Sequence, residues 1–328
     1  MRVAVIDCGT NTVRLLVAES GEAGLTTLAR DLRYVRLGEG VDAHRRFQPA
    51  ALARTFAAVE EYAGILEAVR PERVRFIATS AARDAANRDE FLDGVEARLG
   101  VRPEVITGDE EARLSFVGAL AGGPVWDPVL VSDVGGGSTE LILGDAHGVV
   151  RVQQSLDVGS VRLRERFLHD DPPTAAQIGA ARRFVGDLLD GSRVPLGQAR
   201  TWLLPDDEMF PEGAWDAGPA RGTWIGVAGT TTSAAALVAG LTVYDPAVVH
   251  NSTVAVADIL ALSERLLRLS TAETMRRFPV LAPLRAEVIG AGVMIVAELA
   301  RRVDRPLVVR ETDILDGAAD DLIRHASP

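Results

Sequence analysis

Two stretches of the chain carry the same pattern of apolar and polar positions. Over residues 3–17 and again over 129–143, an apolar strand runs into an aspartate, a tight turn of glycine and hydroxyl residues follows, and a second apolar strand leaves. The turns read Asp7-Cys8-Gly9-Thr10-Asn11-Thr12 and Asp133-Val134-Gly135-Gly136-Gly137-Ser138-Thr139-Glu140. Each predicts a β-hairpin. Its glycines let backbone N–H groups approach an anion, its hydroxyls add donors, and its aspartate stands where a divalent cation bridging that anion would sit. Two such tips, one domain's length apart, imply two similar lobes facing one phosphate.

Elsewhere strands alternate with helices, which predicts an α/β fold. A strand is expected at 32–37, and a helix at 49–69, where Leu52, Phe56, Val59, Ile65 and Val69 recur at helical spacing behind Pro49. A strand at 74–78 leads into the polar loop Thr79-Ser80-Ala81-Ala82-Arg83, then a helix to about 99 and a short strand at 104–106. Thr107 and Glu110 have capping-box spacing, so a helix should run from there to about 120. Ala121-Gly122-Gly123-Pro124 breaks it, and the domain boundary is placed there, with lobes at 1–124 and 125–312. In the second lobe helices are expected at 161–167, 174–189, 254–269 and 284–302, with strands at 224–228 and 307–310. The strand at 224–228 meets Gly229-Thr230-Thr231-Thr232-Ser233, a glycine turn aimed at a helix N-terminus and a second candidate anion or nucleotide turn. A last helix over about 313–328 is expected to pack back on the first lobe. Residues 203–222 are acidic, hold Pro and Gly, show no period, and read as a surface insertion.

Composition narrows the chemistry. The 328 residues suit two domains and 47% apolar content suffices for two cores. No apolar run is long enough for a bilayer and Met1-Arg2 leads straight into a strand, so a cytoplasmic protein with no membrane partner is expected. A single cysteine, Cys8, excludes an internal disulfide and multi-Cys metal sites, and reads as a small buried filler. All 35 basic residues are arginine. Without lysine there is neither a Walker-type P-loop nor Schiff-base chemistry, and phosphate must be gripped by arginine and backbone N–H. A net charge of −11 argues against a nucleic-acid partner. Arg162, Arg164 and Arg166, or Arg285, are candidates for a local basic path; as isolated features they read as solvated faces.

Glu111 is the candidate base, since a carboxylate within hydrogen-bond reach of water can align it and take its proton. On the residues alone, Glu110 and Glu111 read equally as acids facing a helix's positive end. Asp133 and Glu140 flank the second tip and could orient a cation and water. Arg83 ends a strand beside both turns, where bidentate phosphate contact competes with an ion pair to Asp84 or another acid.

The repeated turns resemble the actin, hexokinase and Hsp70 (ribonuclease H-like) superfamily of two-lobed folds with an interlobe cleft. Asp-x-Gly-Thr-Asn-Thr, Ala-Thr-Ser-Ala-x-Arg-Asp-Ala, Thr-Gly-x-Glu-Glu-Ala-Arg and Asp-x-Gly-Gly-Gly-Ser-Thr-Glu, in this order, resemble the exopolyphosphatase and guanosine pentaphosphate phosphatase (Ppx/GppA) family in its short two-domain form. The resemblance implies Glu111 as base with Glu140 assisting, and Asp133, Glu140 and Asp7 around Mg²⁺, or Mn²⁺. It implies phosphate donors from Thr10, Asn11, Arg83, Gly135, Gly136, Gly137 and Ser138, and a homodimer. The implied activity is release of terminal orthophosphate from inorganic polyphosphate. The alternatives are 5′-phosphate removal from guanosine pentaphosphate, or a catalytically weak nucleotide sensor. The tail Arg310-Glu311-Thr312-Asp313 departs from the family's Gly-Leu-Arg-Glu-Gly.

Overall fold

The computed structural model describes residues 1–21, 24–197 and 222–325. The insertion expected at 203–222 lies, Gly222 apart, outside the described residues. The first sheet comprises β1 (Arg2–Cys8), β2 (Thr12–Gly21), β3 (Gly24–Tyr34), β4 (Arg73–Ala78) and β5 (Glu104–Val105), in the order β3-β2-β1-β4-β5. The second comprises β6 (Val129–Val134), β7 (Thr139–Gly144), β8 (Val150–Leu156), β9 (Thr223–Val227), β10 (Thr253–Val254) and β11 (Leu307–Val309), in the order β8-β7-β6-β9-β11-β10. Both sheets therefore begin with an antiparallel meander and continue with parallel strands, the second sheet closing on the antiparallel edge strand β10. This is the pair of similar α/β lobes that the hairpin repeat implied. Strands β1 and β6 lie mid-sheet because their apolar residues leave almost no exposed face.

Some element limits differ from the expected ones. The strand expected at 32–37 is the long β3, which pairs along β2 and ends at Tyr34, while Val35 and Leu37 are buried beyond it. Strand β8 was not anticipated. Its sequence, VRVQQSL, is half-buried nearly throughout and shows little apolar alternation. The helix expected at 284–302 is split into Pro283–Ala286 and Ile289–Val303.

Two helices are exchanged between the lobes. Helix Gly108–Ala121 follows β5 of the first sheet, yet its Ala112, Phe116 and Ala119 pack on Val129, Val131, Ile142, Ile225 and Val227 of the second. Helix Ile314–Arg324 follows β11 of the second sheet, yet its Ile314, Leu315, Ala318 and Ala319 pack on Val3, Val5, Leu16 and Ala18 of the first. The two helices touch backbone to backbone. A Cβ built on Gly118 would overlap the Asp313 carbonyl, and one on Gly317 would overlap the Leu114 carbonyl.

The lobes are also linked by ion pairs. Arg162, only 7% exposed, contacts Asp157 at 3.0 Å, Asp42 at 3.4 Å and Asp84. Arg166 meets Asp42 at 2.5 Å. These two arginines are therefore neutralised between the lobes and do not form the basic path considered from the sequence. Among the described residues, no helix is long and apolar enough to cross a membrane.

Candidate active site

The two hairpins match position for position. In each, the aspartate is the last but one residue of the first strand, which runs one residue further than expected, to Cys8 and Val134, and Gly9 and Gly135 donate their N–H to the carbonyls of Thr12 and Ser138 at 3.0 and 3.1 Å. The residue directly across the ladder is Arg14 opposite Asp7 and Glu140 opposite Asp133. The first acid thus faces a guanidinium and the second another carboxylate. Cross-strand side chains stand close enough for such pairs to interact directly.

The tips meet at one end of a cavity of about 550 Å³ between the lobes, lined by Asp7, Thr10, Asn11, Glu111, Asp133, Gly135, Gly136, Ser138 and Gly229 among others. The glycines permit the approach. A Cβ on Gly136 would lie 2.9 Å from Thr10 Cβ, and one on Gly137 would lie 2.5 Å from Thr10 Oγ1 and 2.6 Å from Ser80 Oγ. Gly137 does not line the cavity; its contacts are with the opposite lobe. Asn11 is 4% exposed, and neither Oδ1 nor Nδ2 has a hydrogen-bond partner among the described residues. A buried amide left unsatisfied costs free energy that a ligand at the tips would recover.

Glu111 stands in the first turn of helix Gly108–Ala121, which Thr107 caps by accepting from Glu110 N at 3.1 Å. It is 7% exposed, and Arg83 Nη1 donates to its Oε2 at 2.8 Å. Burial pushes the Glu111 carboxyl up to about 7; Arg83 opposes the shift, and the charges of Asp133 and Asp7 add to it. Arg83 thus holds the candidate base, and donates also to the Ile106 carbonyl at 2.9 Å. It does not line the cavity. The sequence competitor, Asp84, pairs instead with Arg162.

One turn further along, Ser115 donates to Asp133 Oδ2 at 2.8 Å, so the helix that carries Glu111 also orients the aspartate of the other lobe. Burial raises Asp133 to about 6, with Ser115 opposing. Glu140 is 1% exposed, accepts from Ser155 Oγ at 2.8 Å, and is pushed well up by burial and by Glu111 and Asp133. It lies behind the cavity wall. Asp7 is held through Oδ2 by Arg14 at 2.5 Å, while its Oδ1 is buried without a partner among the described residues. Among the described residues no three His, Cys, Asp or Glu side chains are grouped to hold a metal ion, so Asp7, Asp133 and Glu140 do not form one ligand set.

At the second glycine turn the helix begins at Ala228, and Gly229, Thr232 and Ser233 in its first two turns line the cavity. Thr230 does not; its Oγ1 is buried without a partner among the described residues. Gly229 is pressed by Arg285, a 6%-exposed cavity residue whose guanidinium sits 5.6 Å from the Tyr34 ring and whose Nε has no partner among the described residues. The residues that the sequence reading missed are Arg14, Ser115 and Asp313. The first two had a signal: Arg14 repeats the spacing of Glu140 from Asp133, and Ser115 lies four residues from Glu111 on one helix face.

Because burial raises all four acids, the folded protein retains protons that the unfolded chain releases. Their contribution to stability is therefore greatest below the ordinary carboxylate range and is lost as pH rises through the raised values. Glu140→Gln keeps an acceptor for Ser155 and removes the titrating group. Thermal melts in chelator should show Glu140→Gln gaining on the parent protein as pH increases; a constant difference across pH would refute this.

Comparison with known proteins identifies the family. The model of the Ppx/GppA phosphatase family matches residues 16–309. The chain is 45% identical to exopolyphosphatase 2 of Mycobacterium tuberculosis, over 97% of each chain. It is 31% identical to the guanosine-5′-triphosphate,3′-diphosphate pyrophosphatase of Photobacterium profundum over 69% of this chain and 41% of that one. The crystal structure of an exopolyphosphatase-like protein superposes with a TM-score of 0.87 at 38% identity, covering 99% of both chains. With two phosphate-type hairpins closing on a buried glutamate and a family match along most of its length, the chain belongs to the Ppx/GppA phosphatase family.

Proposed function

We propose that this phosphoanhydride hydrolase releases terminal orthophosphate from inorganic polyphosphate, with Glu111 as general base. The observation that carries the reading is the position of Glu111: buried, held by Arg83, and lining the cavity on which both hairpin tips converge. The terminal phosphoryl group would rest against Asn11, the N–H group of Gly136, and Ser138, the Gly135 N–H being spent on the Ser138 carbonyl. Glu111 takes a proton from water as its oxygen attacks the terminal phosphorus. The P–O bond to the rest of the chain breaks, and orthophosphate leaves a polyphosphate shorter by one residue. The Gly136 N–H and Asn11 stabilise charge on the phosphoryl oxygens, while Arg285 faces the phosphates behind.

Asp7 and Asp133 fit a hard cation such as Mg²⁺, since both are buried cavity carboxylates and Asp7 Oδ1 has no partner among the described residues. Bound there together with substrate oxygens and water, Mg²⁺ would neutralise phosphate charge. Glu140 stands across the ladder from Asp133, where it accepts from Ser155.

A second reading, hydrolysis of guanosine pentaphosphate, is favoured by the apolar part of the cavity lining, where Leu32, Tyr34, Ala236, Tyr244, Val280 and Leu281 offer surface that a polyphosphate does not need. Phosphate release measured in parallel from long-chain polyphosphate and guanosine pentaphosphate, with Mg²⁺, separates the two. Faster release from polyphosphate is expected. Release mainly from the nucleotide would replace the first reading with the second, and release from neither would refute both.

A further inference from the structure

Among the described residues the cavity is lined by six carboxylates, Asp7, Asp31, Glu111, Asp133, Glu311 and Asp313, and by three guanidiniums, those of Arg14, Arg30 and Arg285. This balance is adverse for a polyanion, and two of the arginines are already engaged by acids at the start of the last helix. Arg14 contributes Nη1 to Asp313 Oδ2 while its Nη2 and Nε hold Asp7 at 2.5 and 3.1 Å. Arg30 contributes Nη2 to both carboxylate oxygens of Asp316 at 2.6 and 2.7 Å, with Asp313 Oδ1 4.0 Å from its Nη1. All three nitrogens of Arg14 are thus committed to carboxylates. Asp313 is 4% exposed and also caps the helix by accepting from Leu315 N at 3.1 Å, so it is held in place independently of Arg14.

We propose that Asp313 is a specificity-determining residue that competes with substrate phosphate for Arg14 and so lowers the affinity of the cleft for highly charged phosphate chains. The inference rests on the hydrolase reading for its biological meaning, but its physical content is anion affinity. A carboxylate fixed beside the path of a polyanion repels it, and it also compensates the guanidinium that would attract it. Both effects have the same sign. In a cleft of low effective dielectric a unit charge at side-chain distances changes affinity by roughly tenfold or more.

Asp313→Asn removes the charge and keeps a good helix cap, and Asp313→Ser keeps a capping hydroxyl while withdrawing from Arg14. Binding of inorganic tripolyphosphate is measured by calorimetry in the Glu111→Gln background, and KM and kcat are measured with Glu111 intact. Both Asp313 variants are expected to bind tripolyphosphate roughly tenfold more tightly, to lower KM more than they change kcat, and to lose part of the gain at high salt. A loss of packing would produce no salt-dependent gain in affinity. Unchanged affinity in both folded variants would overturn the proposal. So would weaker binding with a raised Mg²⁺ requirement, which would make Asp313 a cation ligand. Should the parent protein release no phosphate from any substrate, the hydrolase reading fails while the calorimetry still decides the role of Asp313.

Discussion

Glu111→Gln is expected to lower kcat by about 10²–10⁴-fold, the range that removal of a positioned general base costs, while anion binding persists. Glutamine keeps the size of the side chain and an oxygen that can accept from Arg83, so helix Gly108–Ala121 should stay in place. What disappears is the capacity to receive the proton of the attacking water. Steady-state hydrolysis together with calorimetric binding of tripolyphosphate checks this. Wild-type turnover in the variant would remove Glu111 from the chemistry, and loss of binding together with turnover would make its role structural.

Gly118→Ala and Gly317→Ala should each destabilise the protein by about 1–3 kcal/mol or more, against the usual sign for such changes. Glycine inside a helix normally costs about 1 kcal/mol relative to alanine, so propensity favours both substitutions. Here, however, the missing Cβ lets helices Gly108–Ala121 and Ile314–Arg324 touch through main chain, and the atoms a new methyl meets are the carbonyls of Asp313 and Leu114. Backbone cannot rotate aside as a side-chain end can. The same displacement would move Glu111 and Ser115 away from Asp133, so activity should fall with stability. Urea denaturation compared with the parent protein gives the result; an increase in stability for either variant would contradict the close packing.

Much of this was legible from the sequence because both hairpins are local. Asp, glycine turn and returning strand are written in consecutive residues, and the repetition of the pattern implied two lobes facing each other. The placement of Glu111 at a helix start followed from the Thr107 cap. Arg14 was equally legible, since the spacing that set Glu140 opposite Asp133 sets it opposite Asp7.

Other features depend on contacts between distant segments. Asp313 meets Arg14 only because the last helix returns to the first sheet, and nothing near residue 313 specifies that meeting. The same holds for Gly137, whose neighbours Thr10 and Ser80 belong to the other lobe, and for Arg162, which seemed a solvated residue until Asp42 and Asp84 closed on it. Strand β8 escaped notice because VRVQQSL carries few apolar residues, its pairing being supplied by β7.

The pH dependence of kcat/KM, compared between the parent protein and Arg83→Met, bears most directly on Glu111 as base. Hydrolysis in the parent should rise with pH as the carboxyl, raised to about 7, loses its proton, and should level off above. Arg83 holds that value down, so Arg83→Met should move the rise to higher pH, and Arg83→Lys should restore it toward the parent position. A profile flat from about pH 5.5 to about 8.5, or a rise that Arg83→Met leaves in place, would contradict the assignment of Glu111 as the group that takes the proton from water.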